Sequence, residues 1–134
     1  MASDTGLTLR EFQRQVDEYV GERGWSGYHK PKDLAISIAI ESAELLELFQ
    51  WKPDPLEAGK INEDLRTRIG EELADVIIYC TCMANALDID LSKTLLDKIA
   101  KNRKKYPIGK VVKAKDWDEV RLIRAKSSEK NGDD

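Results

Sequence analysis

Apolar residues in the middle of the chain recur at steps of three, four and seven, the spacing of one buried face of an α-helix. Two such stripes are Leu34, Ile38, Leu45 and Leu48, and then Ile61, Leu65, Ile69, Val76 and Met83. Carboxylates interrupt both stripes, at Glu41 and Glu44 in the first and at Glu72 and Asp75 in the second. Because burying an unpaired carboxylate is costly, four of them on core-facing lines need a compensating cation. The pattern therefore indicates a metal site.

Capping signals and prolines divide the chain into helices. Thr8 to Glu11 has the form of a capping box, and Pro53 and Pro55 cannot continue a helix. The four main helices are expected at about 8–22, 31–51, 61–87 and 90–106. Since no segment alternates like a strand, the predicted fold class is all-α: an antiparallel bundle of these four helices plus a short C-terminal helix near Asp116. Residues 1–126 are expected to form one domain, followed by a disordered tail at 127–134.

The register of the second and third helices can be checked by counting. Glu41 lies ten residues before Trp51, and Glu72 lies ten residues after Asn62, so in an antiparallel hairpin both are about 15 Å from the connection. Each i,i+3 partner shares its neighbour's face, which gathers the four acids. Oxygen ligands alone favour a hard cation, Mg²⁺ or alternatively Mn²⁺. A di-iron site is disfavoured because it needs two Glu-x-x-His motifs, and the only histidine, His29, lies in a predicted loop.

The two acidic motifs resemble the signature of a known family. Glu41-Ser-Ala-Glu44, a spacer and Gly70-Glu-Glu-Leu-Ala-Asp-Val76 are similar to the motifs of the MazG-like all-α nucleoside triphosphate pyrophosphatases, and most closely to the dCTP pyrophosphatases, over about residues 9–107. The resemblance implies Mg²⁺-dependent cleavage between the α and β phosphates, giving a monophosphate and pyrophosphate, with dCTP or a related or modified pyrimidine nucleotide as substrate. It also implies a tetramer built from dimers, active sites shared between subunits, and a role in cleansing the nucleotide pool.

Further residues match the nucleotide pocket of the dCTP pyrophosphatases: Trp25, His29, Trp51, Tyr79, Lys98 and Asn102. The tryptophans offer faces on which a base can stack, Lys98 a point charge for phosphate, and Asn102 a donor and an acceptor for a base edge. Each has a structural alternative. Tryptophans beside loops are often core anchors, His29 can be a satisfied loop histidine, and Tyr79 can belong to the core. The other lysines near the end of the fourth helix are expected to stay solvated.

Composition limits which binding partners and which cellular compartment are expected. A net charge of −3 argues against stable nucleic-acid binding, although residues 98–105 carry a local lysine run. No stretch has the length of a membrane span, and the first residues lack the apolar core of a secretory signal, so a cytoplasmic protein without membrane association is expected. Cys80 and Cys82 are too close on one helix to pair with each other, and buried reduced thiols are expected.

Two alternatives to the predicted activity stay open. One is a helical module that binds nucleotides or a protein partner without catalysis. The other is an enzyme on the same scaffold with dUTPase-like or phosphoribosyl-ATP specificity. For hydrolysis, Glu41, Glu44, Glu72 and Asp75 are the expected catalytic and metal-binding set, and either Glu41 or Glu44 can accept the proton of the attacking water, with Glu41 preferred.

Overall fold

A computed structural model describes residues 5–109, and four α-helices account for most of them. They are α1 (Leu9–Glu22), α2 (Pro31–Glu47), α3 (Glu63–Ala86) and α4 (Leu91–Lys105). Residues 5–109 contain no strand, so the predicted all-α class is confirmed. Over the same range, no helix combines the length and apolarity required to cross a membrane. The expected fifth helix near Asp116 and the expected tail at 127–134 lie outside the described residues.

The chain divides into two compact units, with the boundary between Leu91 and Ser92. The first unit holds α1, α2 and α3, and the second holds α4 from Ser92 onwards. The candidate metal ligands all belong to the first unit. The expected single domain at 1–126 stays a prediction.

Side-chain caps fix the starts of two helices. The Thr8 hydroxyl accepts a hydrogen bond from the Glu11 amide at 3.2 Å, as the capping box predicts, and the Asn62 side chain accepts one from the Leu65 amide at 2.7 Å. Such bonds satisfy amides that have no partner within the first turn of a helix. The Glu11 carboxylate, however, is held by the Arg14 guanidinium at 3.0 Å, where the capping box predicted a bond back to residue 8. A salt bridge one turn along the helix therefore replaces half of the predicted box.

The second helix ends earlier than predicted. Pro31 opens α2 at its first turn as expected, but the helix stops at Glu47, and turns follow through residue 51. Trp51 has a φ of 61°. This left-handed conformation commonly ends a helical path. The prediction that α2 reaches Trp51 was therefore wrong by about one turn, because the chain reverses before the prolines are reached.

The core shows that α2 and α3 are antiparallel. Leu34, near the start of α2, packs with Cys82, near the end of α3, in a buried cluster that also contains Val16 and Val20 of α1. Further along the same helices, Glu41 of α2 meets the acids of the first half of α3. Cys82 is buried and reduced, but Cys80 is exposed, contrary to the prediction. Two residues apart on a helix point about 200° away from each other, so only one of the two thiols can face the core.

A polar clamp joins α1 to the end of α3. The Gln13 amide donates to the Asn85 side-chain oxygen at 3.1 Å and to the Ile89 carbonyl at 2.9 Å. Asn85 donates back to the Gln13 carbonyl at 2.9 Å, and the Leu91 amide donates to the Gln13 side-chain oxygen at 3.2 Å. These bonds satisfy the half-buried amide groups and fix where α1 lies against α3.

Candidate metal and nucleotide site

Three carboxylates from two helices converge in the first unit. Glu41 of α2 and Glu72 and Asp75 of α3 each place one carboxylate oxygen so that all three oxygens lie within 4.8 Å of one another. Glu72 and Asp75 share a helical face because they are three residues apart. Glu44 lies one turn after Glu41 on α2. The structure thus brings together three of the four predicted acids, and the exposed Glu44 is close enough for its charge to raise the pKa of Glu41.

The pKa values of two of these acids, Glu41 and Glu72, are raised. Burial is the largest cause of the raised pKa of Glu41, followed by the charges of Glu44 and Asp75. Burial is also the first cause of the raised pKa of Glu72, followed by the charges of Glu44 and Asp75. Arg68, one turn earlier on α3, partly offsets the pKa shift of Glu72. Without a cation, keeping the carboxylates of Glu41 and Glu72 ionised therefore destabilises the folded protein.

One oxygen of the cluster has no partner in the part of the chain that the structure describes. Oε2 of Glu72 is inaccessible to solvent and forms no hydrogen bond with residues 5–109. A buried carboxylate oxygen normally accepts a hydrogen bond or binds an ion. Hard divalent cations prefer oxygen ligands, and here an oxygen without a partner lies beside two other carboxylates. These residues therefore fit Mg²⁺ or Mn²⁺.

The loop between α1 and α2 carries an aromatic group. The Trp25 ring packs edge to face against Tyr19, with centroids 5.8 Å apart and an interplanar angle of 81°, and it lies 6.5 Å from the His29 ring at 36°. The Arg23 guanidinium covers Tyr19 at 3.7 Å from the ring centroid. A cation in that position is attracted by the face of the ring. Trp25 is nevertheless 42% exposed, so it is braced by its neighbours and still presents a free surface.

The other residues expected to bind substrate lie in different environments. Trp51 is 94% exposed, whereas Tyr79 is half-buried and packs against the core cluster, which agrees with its structural alternative. Lys98 and Asn102 are exposed and one turn apart on α4, in the second unit. The roles of all four toward a nucleotide stay predictions.

A cavity of about 220 Å³ opens beside His29 in the first unit. Its lining comes from α1, the loop after it and the last turns of α3: Asp17, Val20, Ser26, His29, Cys82, Asn85 and Ala86. Burial and the charge of Asp17 raise the pKa of the Cys82 thiol. The sequence analysis missed Asp17. Its only signal in the sequence is a carboxylate placed between the buried residues Val16 and Val20 of α1.

Comparison with known proteins identifies relatives of the chain. A family model described as MazG-like matches residues 36–120. The dCTP pyrophosphatase 1 of Bos taurus is 39% identical over 103 residues, covering 75% of this chain and 60% of the bovine protein. The Homo sapiens protein of the same name is 39% identical over 102 residues, covering 75% of this chain and 59% of the human protein. The chain thus spans about 60% of the length of these relatives.

A solved structure supports the same relationship. The crystal structure of a pyrophosphatase from Archaeoglobus fulgidus is 36% identical in sequence, with a TM-score of 0.67. The match covers 80% of this chain and 99% of the archaeal chain. The similarity therefore extends over nearly the whole of that protein.

Proposed function

The chain belongs to the MazG-like family, and from this we propose that it is a divalent-metal-dependent nucleoside triphosphate pyrophosphohydrolase. It would cleave the bond between the α and β phosphates and release a monophosphate and pyrophosphate. The proposal is supported by relatives named dCTP pyrophosphatase 1 and by a related structure described as a pyrophosphatase.

The observation that carries the proposal is the orphaned oxygen of Glu72 beside the oxygens of Glu41 and Asp75. A site built only for solubility or for an ion pair would leave no buried carboxylate oxygen without a partner. A triphosphate is itself anionic, so it can approach four carboxylates only if cations neutralise them. Residues that bind Mg²⁺ or Mn²⁺ would thus also allow a phosphate substrate to bind beside them.

The four acids share one task in this proposal, and Glu41 has a second. Glu41, Glu44, Glu72 and Asp75 would hold the cation, which when bound neutralises charge that develops on the transferring phosphoryl group. Glu41 is also our choice to accept the proton of the attacking water.

We propose dCTP, or a related or modified pyrimidine nucleotide, as the substrate. The names of the bovine and human relatives support this assignment. Trp25 and His29 would contact the base, since the Trp25 ring is braced by Tyr19 and remains partly exposed. Trp51, Tyr79, Lys98 and Asn102 would complete the contacts to base and phosphate. A cytoplasmic role in cleansing the nucleotide pool follows as part of the proposal.

We also propose that the protein works as a homo-oligomer. Ile36 and Ile40 on α2, and Leu73 and Ile77 on α3, are each about half exposed and are spaced i,i+4 on their helices. Apolar residues repeated along one side of a helix usually face another protein surface. Light scattering should therefore give a mass of a dimer or tetramer of the 15.2 kDa chain. A monomer at micromolar concentration would contradict this part of the proposal.

The test of the activity is a panel of canonical and modified nucleoside triphosphates, assayed for pyrophosphate and monophosphate with and without Mg²⁺. We expect release of both products from dCTP with Mg²⁺ and none after chelation. Turnover of dUTP or phosphoribosyl-ATP in preference to dCTP would replace the substrate assignment and leave the reaction type intact. Binding of nucleotides with Mg²⁺ but without product would refute the enzymatic proposal and favour a non-catalytic module.

A further inference from the structure

The cavity beside His29 contains one charged group that nothing above uses. Asp17 is an exposed residue of α1 that lines it, and within residues 5–109 its carboxylate forms no hydrogen bond and no ion pair. The amide of Asn85, in contrast, is engaged with Gln13. The polar atoms that the cavity leaves available to a ligand are therefore those of Asp17, Ser26 and His29.

The cavity lies on the same side of α3 as the metal site. Asp75, Tyr79 and Cys82 are spaced i, i+4, i+7, so they follow one face of the helix. Seven residues correspond to a rise of about 10 Å between Asp75 and Cys82. That rise is comparable with the span from the α-phosphate of a nucleotide to the far edge of its base. A phosphate at the acids and a base at the cavity can thus belong to the same molecule.

A carboxylate at this place can distinguish bases that present a hydrogen-bond donor from bases that present an acceptor. It only accepts hydrogen bonds, so it pairs with an exocyclic amino group and repels a carbonyl oxygen. Cytosine carries an amino group at position 4, whereas uracil and thymine carry a carbonyl oxygen there. Because Asp17 is exposed, its discrimination would come from repulsion between the carboxylate and a carbonyl oxygen at position 4, together with the hydrogen bond that only the amino group can donate.

We propose that Asp17 is a specificity-determining residue that accepts a hydrogen bond from the exocyclic amino group of a pyrimidine base and so selects dCTP over dUTP and dTTP. This inference rests on the proposed function. Asp17 lies on α1, away from the four acids, so it would act on base selection without taking part in hydrolysis. Ser26 and His29 would face other polar atoms of the same base.

The test compares Asp17→Asn with the unchanged full chain on dCTP and dUTP. An asparagine is close in size and can turn its amide to donate or accept, so it no longer opposes the carbonyl oxygen. We expect the ratio of kcat/KM for dCTP to that for dUTP to fall at least about tenfold, as for loss of one hydrogen bond to a charged group. Most of the change should appear in KM. Asp88→Asn is the control, since Asp88 is exposed, does not line this cavity and has a left-handed backbone conformation that asparagine tolerates.

Binding of the products separates this inference from the proposed function. Calorimetry with dCMP and dUMP needs no hydrolysis, and dCMP should bind the unchanged chain at least about tenfold more tightly, with the difference lost in Asp17→Asn. If dCMP shows this preference but no triphosphate is hydrolysed, the proposed function is wrong and the role of Asp17 stands. If dCTP is hydrolysed but Asp17→Asn keeps the original ratio of dCTP to dUTP, the role of Asp17 is overturned and the proposed function stands. Equal binding of dCMP and dUMP to the unchanged chain, or no binding of either, also overturns it.

Discussion

Replacing Glu41 with glutamine should make the metal-free protein more stable and the enzyme less active. The substitution keeps the size of the side chain but removes one of the charges that converge within 4.8 Å. Two unit charges at that distance repel by about 0.9 kcal/mol in bulk water and by about 3.5 kcal/mol at an effective dielectric constant of about 20. Because Glu41 is only half-buried, screening by solvent keeps each pair near the lower figure.

Glu41 faces two such charges, on Glu72 and Asp75, so its removal should raise the free energy of unfolding by about 1–2 kcal/mol at a pH where all three are ionised. For a chain of this size that corresponds to an increase in Tm of about 4–8 °C. The substitution should, however, reduce the stabilisation that Mg²⁺ gives to the folded protein. At about one hundred times its Kd, it stabilises the unchanged chain by about 2.7 kcal/mol, and a tenfold weaker site would reduce that gain to about 1.4 kcal/mol.

The assay is thermal unfolding at pH 8 with EDTA or with Mg²⁺, together with pyrophosphate release from dCTP. We expect kcat/KM to fall at least about a hundredfold in Glu41→Gln, because charge stabilisation in the transition state is lost. Glu47→Gln is the matched control, since Glu47 is exposed at the end of the same helix. A Glu41→Gln protein with lower metal-free stability and unchanged stabilisation by Mg²⁺ would refute the reasoning, because it would show Glu41 holding the fold rather than a cation.

The charges, the core and the aromatic group each give a further prediction. The raised pKa values of Glu41 and Glu72 mean that the folded chain keeps protons which the unfolded chain releases, so urea unfolding without metal should show stability falling as the pH rises from about 4.5 through those pKa values. A rising stability over that window would contradict the pKa shifts. Leu34→Ala should cost about 2–5 kcal/mol in the same assay, because it would leave a cavity at a buried position. A loss below about 1 kcal/mol would refute the place of Leu34 in the core. Trp25→Ala should raise the KM for dCTP about tenfold or more with little change in kcat, and an unchanged KM would exclude stacking on that ring.

Local signals in the sequence were sufficient for most helix boundaries and for the acid cluster. Thr8 predicts the start of α1 because its side chain caps the free amides of the first turn, whereas the cap that Asn62 supplies to α3 was recognised only in the structure. Counting residues from the connection predicts that Glu41 and Glu72 meet, because the rise per residue in a helix is constant. These features depend on short spacings within one or two helices.

Features that depend on packing between distant segments were not predicted. The cavity combines Asp17, His29 and Cys82, which are far apart in the sequence and meet only once α1 lies against α3. The sequence pattern also does not rank competing apolar stripes, so the half-exposed Ile40 and Ile77 could not be distinguished from core residues in advance. Burial is a property of the assembled helices, and a single helix carries no information about what will cover it.

The clamp around Gln13 has a consequence for the order in which the chain folds. Its hydrogen bonds join residues separated by 72 to 78 positions, so none can form until a loop of that length has closed. Closing such a loop costs conformational entropy before any of these hydrogen bonds forms. The clamp is therefore expected to form after the α2–α3 hairpin, whose connecting loop is much shorter. We therefore expect α1 to dock after the α2–α3 hairpin has formed, so the cavity, which α1 helps to line, would be completed after that hairpin.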